Sequence, residues 1–392
     1  MKKKKWCKVR HKFWFTIMRP IFSFLFWKKY GYKAENYKLD RKQNYLIICN
    51  HSCSLDPFML GKSFFRPIYF VASDDLLKNG FISKIMKHTV APIPIRKGTM
   101  DISSIRNCIS IAKEGGTIGI FPEGNRTYSG EISYLGINLV KFIRKLDLPL
   151  IIYHIDGGYG LDPRWGKKSR RGKGSRGYVQ RLLSKEELCS LKDEELLKII
   201  NTNLSQEISP SLRFKSKEKA EYLERVLFVC PKCHALETLV SEKNAIKCKC
   251  CSLEATYEED LSFSSNEPSF KFKKVSEWMN YQKEYLKDLD IEENKVLLGD
   301  ENVTLISCLE GKEKEVELVG KLQMNSKSFI IKGEKELQFF FKDIKQVENQ
   351  GKHKLLFYIG KDYYEFKGGE RFSSYKYYLM FNRINNTLEN TL

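Results

Sequence analysis

Four apolar runs of strand length, separated by polar and helical sequence, constrain the fold of this chain more than any other feature. They lie between positions 45 and 155 and read "YLIIC", "RPIYFVA", "TIGIF" and "LPLIIYHI". Short apolar runs bounded by turn signals are typical of strands buried on both faces. Such strands belong to sheets that are covered by other elements on each side.

A helical pattern, "DISSIRNCISIAKEGG", lies between the second and third of these runs. Asp101 can cap the helix at its start and Gly115 can end it. Its apolar residues at helical spacing are Ile102, Ile105, Ile109 and Ala112, which share one face. Strands that alternate with helices predict an α/β domain with a mostly parallel central sheet flanked by helices. In such sheets the functional site tends to lie just past the strand ends.

The cysteines predict a separate metal-binding module. Five of the 11 cysteines fall between positions 230 and 251, where "CPKC" and "CKCC" form two C-x-x-C pairs. The predicted ligands of a zinc ribbon are Cys230, Cys233, Cys248 and Cys251. His234 and Cys250 are spare candidates, although the C-x-x-C register favours Cys251 over Cys250. Four thiolates leave no open position on zinc, so this site is expected to be structural. No cleavable secretory signal is apparent, which favours a reducing setting and metal ligation over disulfides.

The last hundred residues predict a small β-rich domain. Six short runs are separated by Gly, Asn, Asp and Lys: "VTLISCL", "EVELVGKLQM", "SFIIKG", "LQFFF", "KLLFYIG" and "YYEFKG". The segment "RFSSYKYYLMFNRIN" then reads as a closing amphipathic helix. In the order of its elements alone, this region resembles a pleckstrin-homology fold.

The charge of the chain indicates an anionic partner. The formal net charge is +20, which favours nucleic acid, a phospholipid surface or a phosphorylated substrate. The N-terminus is the most basic part, because 11 Lys and Arg residues precede the first acid, Glu35.

Between these basic residues lies the aromatic run "FWFTIMRPIFSFLFW". Spanning a bilayer takes about 20 apolar residues, and this run is shorter and is interrupted by Arg19 and Pro20. It predicts a segment in the membrane interface, with Trp6, Trp14 and Trp27 near the headgroups and lysines facing anionic lipid. The alternative is a buried helix that packs on the following domain.

The stretch "NHSCSLD" follows the first apolar run and places His51 five residues before Asp56. No G-x-S-x-G motif occurs, so a serine nucleophile of that kind is not expected. The nucleophile would then belong to the substrate. His51 would remove a proton from a hydroxyl that attacks an acyl carbonyl, while Asp56 would hold the imidazole tautomer. The alternative is a histidine at a helix start followed by a cap.

Two further stretches suit a phosphorylated ligand. In "PIPIRKG", Arg96 follows an apolar segment and could bind a phosphate with two hydrogen bonds. In "GIFPEGNRT", a strand is followed by a tight turn that carries Glu123, Gly124 and Arg126. A carboxylate beside a cation, with a glycine that allows close backbone approach, suits a polar phosphorylated headgroup.

Together, "NHSCSLD", "PIPIRKG", "FPEGNRT" and "LPLIIYHIDG" resemble in order and spacing the four motifs of the glycerolipid acyltransferase family, which includes 1-acylglycerol-3-phosphate acyltransferases. The resemblance covers roughly residues 30–177. It implies that His51 is the general base and Asp56 its partner. It also implies that Arg96 and Arg126 bind phosphate and that Glu123 and Gly124 belong to the acceptor site. Pro149 would belong to the acyl-donor region.

The resemblance and the residue patterns together predict five segments. They are a basic aromatic membrane-interface segment (1–33), an acyltransferase domain (34–225), a zinc ribbon (226–265), a linker helix (266–290) and a β-rich domain with a terminal helix (291–392). The zinc ribbon and the β-rich domain are departures from the basic pattern of the family.

The resemblance implies transfer of a fatty acyl group from acyl-CoA or acyl-carrier protein to a lysophospholipid, with 1-acylglycerol-3-phosphate as the expected acceptor. The expected setting is the cytoplasmic face of the cell membrane, with peripheral or monotopic attachment to an anionic surface. The alternative is a non-catalytic basic zinc-ribbon protein that binds nucleic acid or anionic lipid. The aromatic N-terminus has no clear role in a soluble nucleic-acid binder, so no nucleic-acid partner is expected. A third possibility is that the ribbon and tail recruit an acyl-carrier protein or another lipid enzyme.

Overall fold

The computed structural model describes residues 5–73, 80–95, 102–205, 207–293, 295–309 and 314–388. The chain divides into two compact units. The first comprises residues 1–163 and 169–215, and the second comprises residues 164–168 and 216–392. No sequence pattern indicated that the short segment 164–168 belongs to the second unit. The five predicted segment boundaries remain predictions.

The first unit contains an α/β layer structure. Its helices are α1 (Val9–Leu25), α2 (Asp56–Gly61), α3 (Gly80–Thr89), α4 (Ile102–Lys113), α5 (Ile137–Leu146), α6 (Gly158–Leu161), α7 (Lys185–Ser190) and α8 (Asp193–Leu204). Its strands are β1 (Lys33–Ala34), β2 (Leu46–Cys49), β3 (Ile68–Ser73), β4 (Ile93–Ile95), β5 (Thr117–Ile120), β6 (Leu150–Asp156), β7 (Arg171–Lys173), β8 (Arg176–Leu183) and β9 (Arg213–Lys215).

Seven of these strands form one sheet in the order β1-β8-β6-β2-β5-β3-β4. All neighbours are parallel except β6 and β8. Every residue of β2, β5 and β6 is buried, because helices cover the apolar strands. The predicted mostly parallel sheet is therefore confirmed, and its four apolar runs supply β2, β3, β5 and β6.

Helix α4 buries a slightly different face from the one that the apolar spacing suggests. Its most buried side chains are Ser104, Cys108 and Ile111, whereas Ile102 is 68% exposed. Ser104 is buried because its hydroxyl donates to the carbonyl oxygen of Pro94 at 2.7 Å. Asp101, the predicted cap, lies outside the described residues.

The N-terminal helix α1 continues into a π-helical turn, Phe26–Tyr30, and ends at Gly31 with φ +69°. A Cβ on Gly31 would lie 2.1 Å from the carbonyl oxygen of Gly172, so this close approach requires glycine. Trp6 was expected near the lipid headgroups. Instead it is 5% exposed and packs in the core. Its amide donates to Glu114 at 2.9 Å, which fixes it beside α4.

One side of α1 carries large exposed apolar side chains. They are Phe13, Ile17, Ile21 and Phe24, and each is at least 41% exposed. Their spacing of four, four and three residues places them on a single helix face. Among the described helices, none is both long and apolar enough to cross a membrane.

The glycine-rich segment 171–183 precedes two helices of the first unit. Most of it pairs as strands: β7 joins β9, and β8 is an integral strand of the large sheet. Helices α7 and α8 follow β8. Helix α7 begins at Ser184 with a capping box that includes Glu187.

In the second unit, a four-stranded antiparallel sheet contains β10 (Leu239–Glu242), β11 (Ala245–Cys248), β12 (Glu254–Tyr257) and β13 (Phe263–Ser264). Helix α9 (Val275–Asp288) packs against the chain that precedes this sheet. The buried Gln282 accepts from the amides of Phe228 and Val229 and donates to the carbonyl of Val226. Trp278 donates to the carbonyl of Val229 at 3.0 Å. One helix therefore satisfies several buried backbone groups of the segment leading into the cysteines.

The rest of the second unit is a seven-stranded antiparallel sheet, ordered β17-β16-β15-β14-β20-β19-β18. Its strands are β14 (Leu298–Cys308), β15 (Glu315–Met324), β16 (Ser328–Lys332), β17 (Glu336–Phe340), β18 (Gln346–Gln350), β19 (Lys354–Ile359) and β20 (Asp362–Lys367). The helix α10 (Ser374–Ile384) follows. The predicted β-rich domain is present. Strand β18 was missed because its sequence is polar throughout except for Val347.

Candidate active site

The loop between β2 and α2 is organised around one buried carboxylate. Asp56 is fully buried, and its Oδ2 accepts from the amides of Ser52 and Cys53 at 2.7 and 2.9 Å. The same oxygen lies 2.9 Å from Nδ1 of His51. The Cys53 thiol donates to the other oxygen. Four donors thus satisfy one carboxylate. Their hydrogen bonds hold the segment from His51 to Asp56 in a fixed turn.

The hydrogen bond with Asp56 fixes the tautomer of His51. A carboxylate can only accept, so Nδ1 carries the proton and Nε2 keeps its lone pair. Among the described residues, only Nδ1 of this ring has a hydrogen-bond partner. The His51 side chain is 21% exposed, and Phe121 stacks on its ring at 4.5 Å. The imidazole is therefore held on two sides and is accessible as a proton acceptor.

The turn after β5 is joined directly to this loop. Glu123 accepts from the amide of His51 at 2.6 Å, and the amide of Thr127 donates to the carbonyl oxygen of His51 at 3.0 Å. Loss of solvation raises the pKa of Glu123 from 4.5 to about 8, and the nearby Asp56 also raises it. Glu123 is therefore largely protonated at neutral pH.

Gly124 and Arg126 complete this turn. Gly124 has φ +71°, a left-handed conformation that favours glycine, and among the described residues, its two chain neighbours aside, no atom lies within 4 Å of the position of a Cβ. Arg126 forms an ion pair with Asp162 at 3.4 Å. Asp162 also accepts from the amide and hydroxyl of Ser54. Asp162 thus contacts both turns, the one after β2 and the one after β5, and holds them in one arrangement.

The structure brings together five of the six residues predicted for catalysis and substrate binding. They are His51, Asp56, Glu123, Gly124 and Arg126. Arg96 lies outside the described residues. Pro149 stands apart, because its carbonyl accepts from the amide of Leu46 at the start of β2, whereas His51 follows the end of that strand. Pro149 and His51 are therefore at opposite edges of the parallel sheet.

Three residues of the site were not identified from the sequence. The Asn50 side chain exchanges two hydrogen bonds with the backbone of Ile155 and ties the end of β2 to β6. Phe121 stacks on the ring of His51, and Asp162 forms an ion pair with Arg126. Phe121 lies within the motif "GIFPEGNRT". Asp162 carries no local signal in the sequence, because its partners Arg126 and Ser54 are 36 and 108 residues away.

The four predicted ligand cysteines form a compact cluster in the second unit. The sulfurs of Cys230, Cys233, Cys248 and Cys251 all lie within 4.8 Å of one another. The pair distances are 3.6 Å for Cys230 and Cys251 and 3.7 Å for Cys233 and Cys248. A tetrahedron with zinc–sulfur bonds of about 2.3 Å has sulfurs at about this separation. The cysteine set therefore fits a structural zinc ion.

The two spare candidates lie outside this cluster. His234 instead hydrogen-bonds the hydroxyl of Tyr281 through Nδ1 and stacks on Tyr285. Cys250 contributes its backbone, because its amide donates to the sulfur of Cys248 at 3.3 Å. An amide that donates to a ligand sulfur is the kind of outer contact that orients metal ligands.

Comparison with known proteins gives a family for the first unit. Residues 32–153 match the family model described as Acyltransferase. This range contains His51, Asp56 and the turn after β5. This part of the chain is similar to the acyltransferase family.

Curated proteins similar to this chain have related descriptions. It is 34% identical over 97 residues to a 1-acyl-sn-glycerol-3-phosphate acyltransferase of Bacillus subtilis, covering 24% of this chain and 47% of the relative. It is 27% identical over 150 residues to a probable enzyme of the same name from Mycoplasma genitalium (37% and 56%). It is 26% identical over 149 residues to one from Borreliella burgdorferi (36% and 58%). The chain thus spans about half the length of these curated relatives.

A solved structure was also found. The crystal structure of the 1-acyl-sn-glycerophosphate (LPA) acyltransferase PlsC from Thermotoga maritima is 18% identical, with a TM-score of 0.41, and the match covers 50% of this chain and 76% of that one.

Proposed function

We propose that this chain is a membrane-associated O-acyltransferase. It would move a fatty acyl group from acyl-CoA or acyl-carrier protein to the free hydroxyl of a lysophospholipid. The proposed acceptor is 1-acylglycerol-3-phosphate and the product phosphatidic acid. The names of the matched relatives support this choice of acceptor. The observation that carries the proposal is the hydrogen bond between His51 Nδ1 and the buried Asp56, which leaves Nε2 able to take a proton.

The proposed reaction is a direct transfer. Nε2 of His51 removes the proton of the acceptor hydroxyl as its oxygen forms a bond with the acyl carbonyl carbon. The bond between that carbon and the thioester sulfur then breaks, and the thiol leaves with the proton that the imidazole returns. Asp56 stabilises the transient imidazolium.

The turn after β5 would bind the acceptor. The guanidinium of Arg126 suits a phosphate, and Arg96 is proposed for the same role from the sequence alone. A protonated Glu123 could donate a hydrogen bond to an anionic headgroup without repelling it. The positive φ of Gly124 and the open space beside it allow a ligand to approach the backbone closely.

The exposed apolar face of α1 supports membrane association, because burial of large apolar side chains and attraction of lysines to anionic lipid favour the same surface. We propose peripheral or monotopic attachment at the cytoplasmic face of the membrane. The cysteine cluster would hold a structural zinc ion. The strand order and the terminal helix of the β-rich domain support a pleckstrin-homology-like arrangement.

The test is acyl transfer by the full-length protein. The assay would use labelled acyl-CoA or acyl-carrier protein with a panel of lysophospholipids in anionic vesicles. His51→Ala should lower turnover at least about 100-fold, since it removes the general base. His88→Ala makes the same substitution at an exposed histidine of α3 and should retain turnover.

Undiminished turnover in His51→Ala would refute the mechanism. Absence of product from either donor with every acceptor would refute the proposed activity.

A further inference from the structure

Two short antiparallel strands of the first unit place four cations on one face. Arg171 of β7 lies opposite Lys215 of β9, and Lys173 lies opposite Arg213. The residues between them, Gly172 and Phe214, are buried, and the Phe214 side chain lies on the other face. Because side chains alternate along a strand, all four cations share the outer face. We refer to Arg171, Lys173, Arg213 and Lys215 as the basic ribbon.

The basic ribbon is electrostatically unfavourable by itself. Like charges placed directly opposite each other weaken strand pairing, and here both cross-strand pairs have the same sign. Among the residues that the structure describes, no carboxylate forms an ion pair with any of the four. The guanidinium of Arg213 donates only to the backbone carbonyls of Pro210 and Leu212. Folding therefore leaves a concentrated positive charge that an external anion could neutralise.

The position of the ribbon indicates which anion. The guanidinium of Arg171 donates to the carbonyl oxygen of Lys28, and Gly31 packs against the carbonyl oxygen of Gly172. The ribbon thus adjoins the end of the N-terminal helical segment, where Trp27 is 51% exposed. Apolar area and positive charge lie together, as at a membrane surface with anionic headgroups. A nucleic acid would use the charge but not the apolar face.

We propose that the basic ribbon binds the anionic headgroups of phospholipids, as a second membrane contact beside α1. The proposal rests on the membrane association proposed above. It assigns a ligand to a part of the chain that takes no part in the His51 and Asp56 chemistry.

The like-charge pairs allow a test that separates binding from stability. In Lys173→Glu combined with Lys215→Glu, a carboxylate lies opposite Arg213 and another opposite Arg171, so both unfavourable pairs become favourable. Binding of the full-length protein to vesicles of phosphatidylglycerol and phosphatidylcholine in equal amounts should fall at least about tenfold. The melting temperature should stay the same or rise by about 2 °C.

The matched control is Lys141→Glu combined with Lys145→Glu, which makes the same charge change at exposed positions of α5. It should bind the vesicles like the unmodified protein. Equal losses in the two double variants would overturn the proposal, because net charge alone would then explain binding. Undiminished vesicle binding by the ribbon variant would also overturn it. If vesicle binding is unchanged and only binding to single-stranded RNA falls, the ligand of the ribbon would be a nucleic acid and the proposal would be wrong.

The neutral double variant, Lys173→Gln with Lys215→Gln, covers the case in which the charge reversal prevents folding. It should weaken vesicle binding several-fold, and binding equal to that of the unmodified protein would overturn the proposal. If the unmodified protein itself fails to bind anionic vesicles, the proposed membrane association fails. If it binds and the ribbon variants bind equally well, only the ribbon proposal fails.

Discussion

The loop around Asp56 and the cysteine cluster are both compact polar sites, but they are held together in opposite ways. In the loop, one carboxylate accepts from four donors that lie three to five residues before it in the chain. In the cluster, four sulfur atoms converge within 4.8 Å and face one another. The first site is satisfied by its own chain, whereas the second brings together groups that are all acceptors once ionised.

This difference separates a site that is preorganised from one that we propose depends on an ion. Donors built into the chain fix the orientation of His51 before a substrate arrives, which is what general-base catalysis requires. Thiolates that face one another repel unless a cation lies between them, so zinc binding and local folding are coupled. The comparison predicts that substitutions in the loop affect mainly chemistry, and substitutions in the cluster mainly stability.

The largest expected effect is loss of the metal. Cys233→Ser should lower zinc content and destabilise the second unit by at least ~3 kcal/mol, a fraction of the ~10–16 kcal/mol that zinc supplies in isolated zinc-finger peptides. Zinc content would be measured by elemental analysis and unfolding by hydrogen exchange. Cys250→Ser is the control, since Cys250 is also exposed and its sulfur lies outside the cluster. Equal zinc content and stability in the two variants would contradict a structural metal.

The next effect concerns the tautomer of His51. In Asp56→Asn, the amide group can donate to Nδ1, which would move the ring proton to Nε2 and remove the base. Turnover should fall by up to about ten-thousand-fold, the effect of the same change in a serine protease. Steady-state kinetics on folded protein would measure it, with Asp40→Asn at an exposed turn as the control. Turnover close to that of the unmodified protein would show that Asp56 only holds the loop between β2 and α2.

The sequence predicted the regular parts of both units because their information is local. The runs that became β2, β3, β5 and β6 are largely apolar, and the helix that became α4 was indicated by apolar residues at helical spacing. The pairing of His51 with Asp56 and the cysteine ligands also depend on short spacings. Strand β18 was missed because Glu348 and Asn349 are polar yet buried. Trp6 was assigned to the surface by its aromatic neighbours, although Glu114, 108 residues away, holds it in the core.

A smaller effect is expected from Asp162, which has no local signal in the sequence. Asp162→Asn keeps an oxygen for Ser54 but removes the charge opposite Arg126. If Arg126 binds the acceptor phosphate, its weaker positioning should raise the KM for the acceptor about three- to tenfold and change kcat less. Asp156→Asn is the control, because Asp156 is also buried and accepts from Ser209 instead. A fall in kcat at unchanged KM would assign Asp162 to the catalytic loop alone.

The last effect is a change in how stability depends on pH. The folded protein holds the Glu123 proton up to a pKa of about 8, whereas the usual value is 4.5. The folded state thus binds more protons than the unfolded state between these values. The stabilisation is complete below about pH 4.5 and is lost as the pH rises towards 8.

Glu123→Gln should therefore flatten this fall, by at most about 1.4 kcal/mol per pH unit, and the variant should gain stability over the unmodified protein as the pH is raised from 5 to 8. Denaturant unfolding at several pH values would measure the slope, with Glu131→Gln as the control for net charge at an exposed position of the same loop. An unchanged slope in Glu123→Gln would mean that Glu123 is ionised in the folded protein. It would then meet the acceptor phosphate as a carboxylate, and Arg126 would have to offset both negative charges.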